Sequence, residues 1–155
     1  MSKLRLGTKV PDFSLPKTGG GTWSLKDAAG GKLVIYFYPR DMTSGCTREA
    51  QGFRDLAAAF RRAGTTVVGI SRDSIASHER FVAKESLPFP LLADTEEKVC
   101  KLFDVIREKS LYGRKYLGVE RSTFLLDGAG RLQQEWRNVK VPGHTEAVLE
   151  AAQRQ

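Results

Sequence analysis

Hydrophobic and polar residues alternate with two different periods along this chain of 155 residues. Near the N-terminus, residues 12–15 and 22–25 alternate polar and apolar side chains on either side of three glycines, which predicts a β-hairpin. Residues 32–38 (KLVIYFY) are an unbroken β-branched and aromatic run, as expected of a central strand covered on both faces. Residues 65–71 (TTVVGIS) predict a second buried strand.

Helical spacing follows the first of these buried runs. After a loop at residues 39–45, apolar side chains recur at helical intervals at Cys46, Ala50, Phe53, Ala57 and Phe60. This spacing predicts one helix, with Thr43 or Ser44 as its N-cap and Gly64 at its end. Further helices are predicted at residues 74–86, 95–103 and 145–152. A short extended segment is predicted at residues 88–92, and two strands at residues 122–126 and 132–137, joined by a turn at 127–130.

This order of elements predicts an α/β sandwich, in which a mixed sheet carries helices on both faces. The length is that of one compact domain, and no linker or repeat divides it, so residues 1–155 are expected to form a single domain. The loop at residues 39–45 leaves the carboxyl end of a central strand, where open α/β sheets place their sites.

Composition and charge exclude several classes of function. The net charge is +7, but the basic residues are dispersed, which favours a solvated basic surface over a specific nucleic-acid site. The sequence has neither zinc-ligand spacing nor a phosphate-binding glycine motif, so we expect no metal and no cofactor. No segment approaches the roughly 20 apolar residues of a membrane helix, and no signal peptide is recognisable. We therefore expect a soluble cytoplasmic protein.

The chain has two cysteines, Cys46 and Cys100, which are too few for a disulfide scaffold. Cys46 falls in the first turn of a predicted helix, where unpaired N–H groups and the helix dipole favour an anion. Thiols in such positions ionise more readily, and the thiolate is the nucleophile. Alternatively, Cys46 is simply the first member of an apolar helix face. Helix position alone leaves both interpretations open.

The residues before Cys46 favour chemistry. Pro39, Thr43 and Cys46 have the spacing Pro-x-x-x-Thr-x-x-Cys, which puts a hydroxyl in the loop that wraps the helix start. That hydroxyl can hydrogen-bond a group bound at sulfur, while Gly45 allows the backbone to approach closely. Pro39 rigidifies the loop. Together these residues indicate a built site.

Residues 36–55 (YFYPRDMTSGCTREAQGFRD) resemble the active-site loop of peroxiredoxins, and in particular the bacterioferritin comigratory protein (PrxQ) subfamily. The similarity continues at residues 10–16 (VPDFSLP), 89–94 (FPLLAD), 112–127 (YGRKYLGVERSTFLLD) and 139–144 (VKVPGH). The resemblance implies a thioredoxin-like fold, a monomer, and a cysteine-based peroxidase that needs no cofactor.

The resemblance also implies residue roles. Cys46 would be the peroxidatic cysteine, which attacks hydrogen peroxide or an organic hydroperoxide and becomes a sulfenic acid. Thr43 would hydrogen-bond the peroxide, and Pro39 would shape the pocket. Arg121 matches the family's active-site arginine, a permanent cation that stabilises the thiolate and orients the peroxide. Glu49 fits a weaker expectation, an ion pair that tethers the loop.

The chain departs from the family at the second cysteine. Many relatives carry a resolving cysteine five residues after the first, where this chain has Gln51, and others carry it where this chain has Val82. Cys100 is the remaining candidate, but it is predicted to be a small, partly buried hydrophobe beside an apolar stripe. We therefore expect a one-cysteine cycle with thioredoxin, glutaredoxin or a small thiol as reductant. A two-cysteine cycle resolved by Cys100 is the alternative.

Two other functions compete with the peroxidase. A thioredoxin-like disulfide reductase needs a second cysteine three residues after Cys46, where this chain has Glu49. A binding or chaperone module would use the basic surface and would not require Cys46. His78 and His144 lack a partner pattern and are expected at the surface or at helix caps.

Overall fold

The secondary structure alternates between strands and helices in a computed structural model that describes residues 4–155. In chain order, the strands are β1 (Ser14–Pro16), β2 (Thr22–Ser24), β3 (Lys32–Phe37), β4 (Thr65–Ser71), β5 (Leu91–Ala93), β6 (Ile106–Leu111), β7 (Arg114–Val119), β8 (Ser122–Leu126) and β9 (Leu132–Trp136). The α-helices are α1 (Ser44–Asp55), α2 (Ala57–Arg62), α3 (Ile75–Glu85), α4 (Lys98–Leu102) and α5 (His144–Arg154). None of the helices within these residues has the length and apolarity needed to cross a membrane.

A five-stranded mixed sheet has the order β5-β4-β3-β8-β9. Strand β3 is central and buried from Leu33 to Phe37; it runs parallel to β4 and antiparallel to β8. The predicted N-terminal hairpin is the separate antiparallel pair β1–β2. The predicted mixed sheet and hairpin are therefore confirmed.

Two apolar cores lie on opposite faces of this sheet, because successive β3 side chains point in opposite directions. One core joins Val34 and Tyr36 of β3 to side chains of α1, α2, α3 and α5. The other joins Leu33, Ile35 and Phe37 to α4 and to the N-terminal hairpin. Helices therefore cover both faces, as predicted.

The long helix predicted through Phe60 is wrong in one respect, because it is two helices. The backbone of Leu56 has φ −100° and ψ 7°, outside helical geometry, and α2 begins at the next residue. Both parts pack against α5, but α1 also packs against α3 whereas α2 packs against β4. The predicted helix at residues 95–103 is also shorter, at Lys98–Leu102.

A second hairpin, β6–β7, has no counterpart among the predicted elements. Its strands pair with each other rather than with the central sheet. Most of its side chains are exposed or half-buried, so it lacks the apolar alternation that marks a strand in sequence.

Candidate active site

Cys46 lies in the first turn of α1, immediately after the loop of residues 38–43, here called the cysteine loop. Its side chain is only 1% exposed and belongs to the core shared with Tyr36 and Phe53. Thr43 is the N-cap residue, as predicted, but its hydroxyl donates to the Arg40 carbonyl oxygen at 2.9 Å instead of accepting from the helix. The first-turn N–H groups therefore have no side-chain cap at Thr43.

Arg121 reaches Cys46 because of the sheet topology. Antiparallel pairing places Ser122 opposite Phe37, so the preceding residue, Arg121, lies at the end of β3 where the cysteine loop begins. Its Nη2 atom is 3.5 Å from Cys46 Sγ. At Gly45, a Cβ atom would lie 3.1 Å from that same nitrogen, so glycine leaves room for the guanidinium group.

Glu49 binds the other arm of Arg121. Arg121 Nη1 donates to Glu49 Oε1 at 2.7 Å, and the Glu49 side chain is fully buried. Burial raises the pKa of Glu49 to about 7, although Arg121 acts to lower it. Burial works to lower the pKa of Arg121, but Glu49 and Cys46 raise it above its usual value. The ion pair expected for Glu49 exists, but it connects α1 to the start of β8.

A layer of polar side chains lies behind Glu49. Among residues 4–155, Tyr36 Oη and Glu49 Oε2 are the buried side-chain polar atoms without a hydrogen-bond partner. His144 Nε2 lies 3.9 Å from Glu49 Oε2 and hydrogen-bonds Thr123 Oγ1 at 2.8 Å. Burial lowers the pKa of His144 to about 4, so the ring is neutral at neutral pH. The surface position predicted for His144 is wrong, whereas the alternative of a position near a helix cap is close, because His144 is the first residue of α5 after the N-cap Gly143.

His78 is also fully buried, contrary to prediction, and it contacts the cysteine loop from α3. Its Nδ1 atom is 2.7 Å from Asp41 Oδ2, and its Nε2 atom is 2.9 Å from the Leu92 carbonyl oxygen. Tyr38 Oη donates to Asp41 Oδ1 at 2.6 Å, and Ser77 Oγ donates to Asp41 Oδ2 at 2.7 Å. Asp41 therefore joins the cysteine loop to α3.

Hydrogen bonds determine the environment of the Asp41 carboxylate. Burial acts to raise the pKa of Asp41, but hydrogen bonds from His78, Tyr38 and Ser77 lower it below its usual value. The His78 ring lies between this carboxylate and the Leu92 carbonyl oxygen, within hydrogen-bond distance of both. Removing one partner would leave a buried polar group unsatisfied, which costs about 1–3 kcal/mol. The cluster therefore holds the cysteine loop in one conformation.

The same cluster contains a group of potential metal ligands, because ligand atoms of Asp41, Asp73 and His78 lie within 4.8 Å of one another. Those atoms are already engaged, since Asp73 Oδ2 accepts from the Asp41 N–H at 2.8 Å and from Ser71 Oγ at 2.7 Å. Hydrogen bonding within the cluster thus accounts for its geometry.

Pro39 and Arg121 line a surface pocket of about 390 Å³, together with residues of β6 and of the segment after β9. The structure brings Pro39, Arg121 and Cys46 to one end of β3. Thr43 is exposed in the same loop, and its hydroxyl bonds Arg40 rather than Cys46 or Arg121.

Cys100 lies on the other side of the sheet. It is fully buried in the core that faces α4, whereas Cys46 belongs to the core that faces α1. Burial, with the nearby Asp94 carboxylate adding to it, raises the pKa of the Cys100 thiol far above its usual value. The predicted position at a helix flank underestimated this burial.

Sequence reasoning missed Tyr36, Asp41 and Lys109 as neighbours of the site. Strand alternation offered one signal, because Tyr36 and Tyr38 point to the same face of β3. Lys109 lines the pocket from β6, a strand that the sequence pattern did not reveal.

Comparison with known proteins identifies the family of this chain. Residues 6–135 match the AhpC/TSA family. Peroxiredoxin Bcp of Xanthomonas campestris pv. campestris is 49% identical over 148 residues, which cover 96% of this chain and 92% of that protein. The crystal structure of a PrxQ variant from Xylella fastidiosa is 40% identical, covers 99% of this chain and 98% of its own, and superposes with a TM-score of 0.93.

A third relative carries functional information. A structure of the Xanthomonas campestris bacterioferritin comigratory protein, described with its alkyl peroxide reduction activity, is 47% identical with a TM-score of 0.90. It covers 97% of this chain and 96% of its own. The fold is therefore the thioredoxin-like peroxiredoxin fold, and the chain belongs to the AhpC/TSA family, among the Bcp/PrxQ peroxiredoxins.

Proposed function

We propose that this protein is a thiol peroxidase that reduces hydrogen peroxide and organic hydroperoxides through a sulfenic acid on Cys46. The observation that carries the proposal is the 3.5 Å contact between Arg121 Nη2 and Cys46 Sγ at the start of α1. A guanidinium group and unpaired helix N–H groups both favour a sulfur anion. The alkyl peroxide reduction described for the Xanthomonas campestris relative supports the same chemistry.

The chemical step is a displacement at oxygen. The Cys46 thiolate attacks the terminal peroxide oxygen, the O–O bond breaks, and the departing alkoxide or hydroxide takes a proton and leaves as alcohol or water. Sulfur is oxidised to a sulfenic acid and the peroxide is reduced. Arg121 and first-turn N–H groups stabilise the charge that spreads over both oxygens.

Thr43 and Pro39 complete the proposed site. Because the Thr43 hydroxyl hydrogen is given to the Arg40 carbonyl, its oxygen is left as an acceptor for the peroxide O–H. Pro39 lines the pocket beside Arg121 and limits access of water.

We further propose a one-cysteine cycle in a cytoplasmic monomer. Cys46 and Cys100 lie on opposite faces of the central sheet, and a disulfide needs Cα atoms within about 7 Å. Gln51 and Val82 hold the two positions at which relatives carry a resolving cysteine. An external thiol from thioredoxin, glutaredoxin or a small molecule would therefore reduce the sulfenic acid.

The first test compares Cys46→Ser with Cys100→Ser. We expect Cys46→Ser to abolish peroxide consumption with an unchanged circular dichroism spectrum, and Cys100→Ser to retain it. After one equivalent of peroxide, mass spectrometry should show one added oxygen on Cys46, trapped by dimedone. Loss of two hydrogens in wild type, absent in Cys100→Ser, would instead establish a Cys46–Cys100 disulfide.

The second test addresses Arg121 directly. Arg121→Gln should slow the oxidation of Cys46 by about 10²- to 10³-fold, the usual cost of losing one preorganised donor to a developing anion. Stopped-flow measurement of the second-order rate constant gives this value. Arg61→Gln, at an exposed position of α2, is the matched control. Equal rates for both variants would remove Arg121 from the proposed mechanism.

A further inference from the structure

The hairpin β6–β7 has two faces of different character. Residues paired across an antiparallel ladder share a face, so the pairs Arg107–Gly118, Lys109–Tyr116 and Leu111–Arg114 form one face, here called the basic face. It carries three cations, of which Arg107 is ion-paired with Asp104 at 2.8 Å, while Lys109 and Arg114 have no ion-pair partner among residues 4–155. The opposite face carries Glu108 and Lys115, which pair at 3.7 Å and cancel in charge.

The inner end of the basic face opens onto the proposed active site. Arg107 and Lys109 line the pocket that also contains Pro39 and Arg121. Lys109 is held there, since its Nζ atom donates to the Val119 carbonyl at 2.7 Å. A Cβ atom at Gly118 would lie 3.1 Å from Lys109 Cδ and 3.2 Å from the Tyr116 ring, so both side chains fold closely over this glycine.

The outer end of the basic face is apolar and exposed. Tyr116 is 47% exposed and Leu111 is 57% exposed, and Arg114 lies between them on the same face. Leu111 lies two residues beyond Lys109, or about 7 Å along the strand. The surface is therefore a strip of aromatic, aliphatic and cationic groups that begins at the pocket. Aromatic residues and arginine are enriched at protein interfaces.

We propose that the basic face docks an acidic protein whose thiol reduces Cys46. The inference rests on the proposed function, because a Cys46 sulfenic acid that no internal cysteine resolves must meet an external thiol. Charge selects the partner: Lys109 and Arg114, the two cations of this face without an ion pair among residues 4–155, favour a negatively charged surface. They also disfavour a second copy of this chain, since a two-fold contact would bring the cations of both copies together.

Reduction of the Cys46 sulfenic acid by the docked partner takes two steps, each carried out by a thiol of the partner. A thiolate of the partner attacks the sulfur of the Cys46 sulfenic acid, and the hydroxide that leaves takes a proton to become water. A mixed disulfide joins the two proteins. A second thiol of the partner then displaces Cys46, which returns as the thiol, and the partner leaves oxidised to an intramolecular disulfide.

The test uses neighbouring residues on opposite faces of the hairpin. Tyr116→Ala removes an exposed ring from the basic face, and Leu117→Ala removes a comparable apolar side chain, 63% exposed, from the other face. Turnover with reduced thioredoxin of net negative charge should fall about tenfold in Tyr116→Ala, the effect of a typical interface anchor, and stay unchanged in Leu117→Ala. Oxidation of Cys46 by peroxide and its reduction by dithiothreitol should be unchanged in both variants.

Charge reversal provides the second comparison. Arg114→Glu and Lys115→Glu change the net charge equally, so both weaken long-range attraction, which vanishes in about 1 M salt. We expect turnover with thioredoxin to fall more in Arg114→Glu than in Lys115→Glu. Part of this larger loss should persist at high salt, because only the Arg114 side chain lies on the basic face.

Several outcomes would overturn the docking inference. One is that Tyr116→Ala and Leu117→Ala lower turnover with thioredoxin equally, and another is that neither variant changes it. A third is that dithiothreitol reduces the oxidised wild type whereas thioredoxin does not. Each leaves the peroxidase proposal intact, because peroxide oxidation of Cys46 is measured separately. Binding to phosphatidylserine vesicles that Arg114→Glu abolishes, without change in thioredoxin turnover, would assign the face to a membrane surface instead.

Discussion

Two buried titratable side chains behind Cys46 respond to pH in opposite directions. Glu49 has a folded-state pKa of about 7 against 4.5, so it contributes stability below pH 4.5 that is lost as pH rises through 7. His144 has a folded-state pKa of about 4 against 6.5, so it contributes stability above pH 6.5 that is lost as pH falls through 4. Between pH 4.5 and 6.5 the two contributions nearly cancel.

Substituting Glu49 should reveal the pH dependence that His144 gives to the free energy of unfolding. In Glu49→Gln the Glu49 contribution is absent, so the free energy of unfolding should rise with pH between 4.5 and 6.5 by about 3 kcal/mol. Urea unfolding at several pH values measures this rise. Glu150→Gln, at an exposed position of α5, should behave like wild type. If Glu49→Gln shows the same pH dependence as wild type, the two groups do not oppose each other.

At the scale of single residues, the position of Cys46 within a helix was predictable from apolar spacing, whereas its partner Arg121 was predictable only from the family resemblance. Apolar spacing after a buried strand identifies α1 and places Cys46 in its first turn. Arg121 lies 75 residues later, and only antiparallel pairing of β8 with β3 brings it to the sulfur. The same holds for Asp41 and His78, whose contact depends on where α3 packs.

At the scale of elements, α1 is held on two sides. On one side it meets α5, where a Cβ atom at Gly52 would lie 2.6 Å from Thr145 Oγ1 and 2.8 Å from Thr145 Cγ2. On the other side it is joined to α3, because Gln51 Nε2 donates to Glu85 Oε1 and Arg54 Nη1 donates to the Glu85 carbonyl, both at 2.9 Å. These contacts fix the helix that carries Cys46.

Gly52→Ala should show whether close packing or helix propensity has the larger effect on the free energy of unfolding at this position. Alanine favours the helix by about 1 kcal/mol, but overpacking a tight contact costs about 1–3 kcal/mol, so we expect a net loss of stability. In a Thr145→Ala background the contacts with Oγ1 and Cγ2 are removed and the 3.2 Å contact with the Cβ atom of residue 145 remains, so the same substitution should cost less stability than it does in the wild type. Chemical denaturation of the four variants measures both effects. A stabilising Gly52→Ala in the wild-type background would contradict the close contact.

Gln51 holds a position at which the family resemblance implies a resolving cysteine, so a cysteine introduced there tests whether α1 can open. Five residues of helix rise by about 7.5 Å, beyond the roughly 7 Å that a disulfide spans. In Gln51→Cys, a disulfide between Cys46 and the introduced cysteine should therefore form after peroxide only if the first turns of α1 unwind.

We expect that disulfide to form and amide protection in α1 to fall on oxidation, as hydrogen exchange would record. Gln51→Ser controls for loss of the Glu85 hydrogen bond and should keep α1 protected. A sulfenic acid that persists in Gln51→Cys would mean that the helix does not open on the timescale of the reaction.

The hairpin β6–β7 shows why an element can be invisible in sequence. Its strands lie largely in solvent, so they carry charges where a buried strand carries apolar residues. Its turn places Tyr112 and Gly113 at φ 52° and 77°, as in a type I′ turn, but tyrosine is not the residue that usually signals one. Neither the spacing of its apolar residues nor its turn sequence therefore predicts this hairpin, although it carries the basic face.

At the scale of the whole molecule, the sheet divides the thiol chemistry into two environments. Cys46 lies at the edge of one core, beside a cation and below an exposed loop. Cys100 lies inside the other core, where its own N–H donates to Asp94 Oδ2 at 2.7 Å. An apolar, anion-lined environment opposes the thiolate form, which is the reactive one. The same residue type thus lies beside a cation on one face of the sheet and inside an apolar core on the other.

Cys100 should therefore report unfolding of the whole molecule. In Cys46→Ser, alkylation of Cys100 by iodoacetamide should be slowed at least about a thousandfold relative to the urea-unfolded chain, because access requires loss of the core. The labelling rate should rise with urea in parallel with global unfolding measured by circular dichroism. Rapid labelling without urea would show that the α4 core opens locally. That result would also restore Cys100 as a candidate resolving cysteine, because a thiol that reaches solvent can leave its face of the sheet.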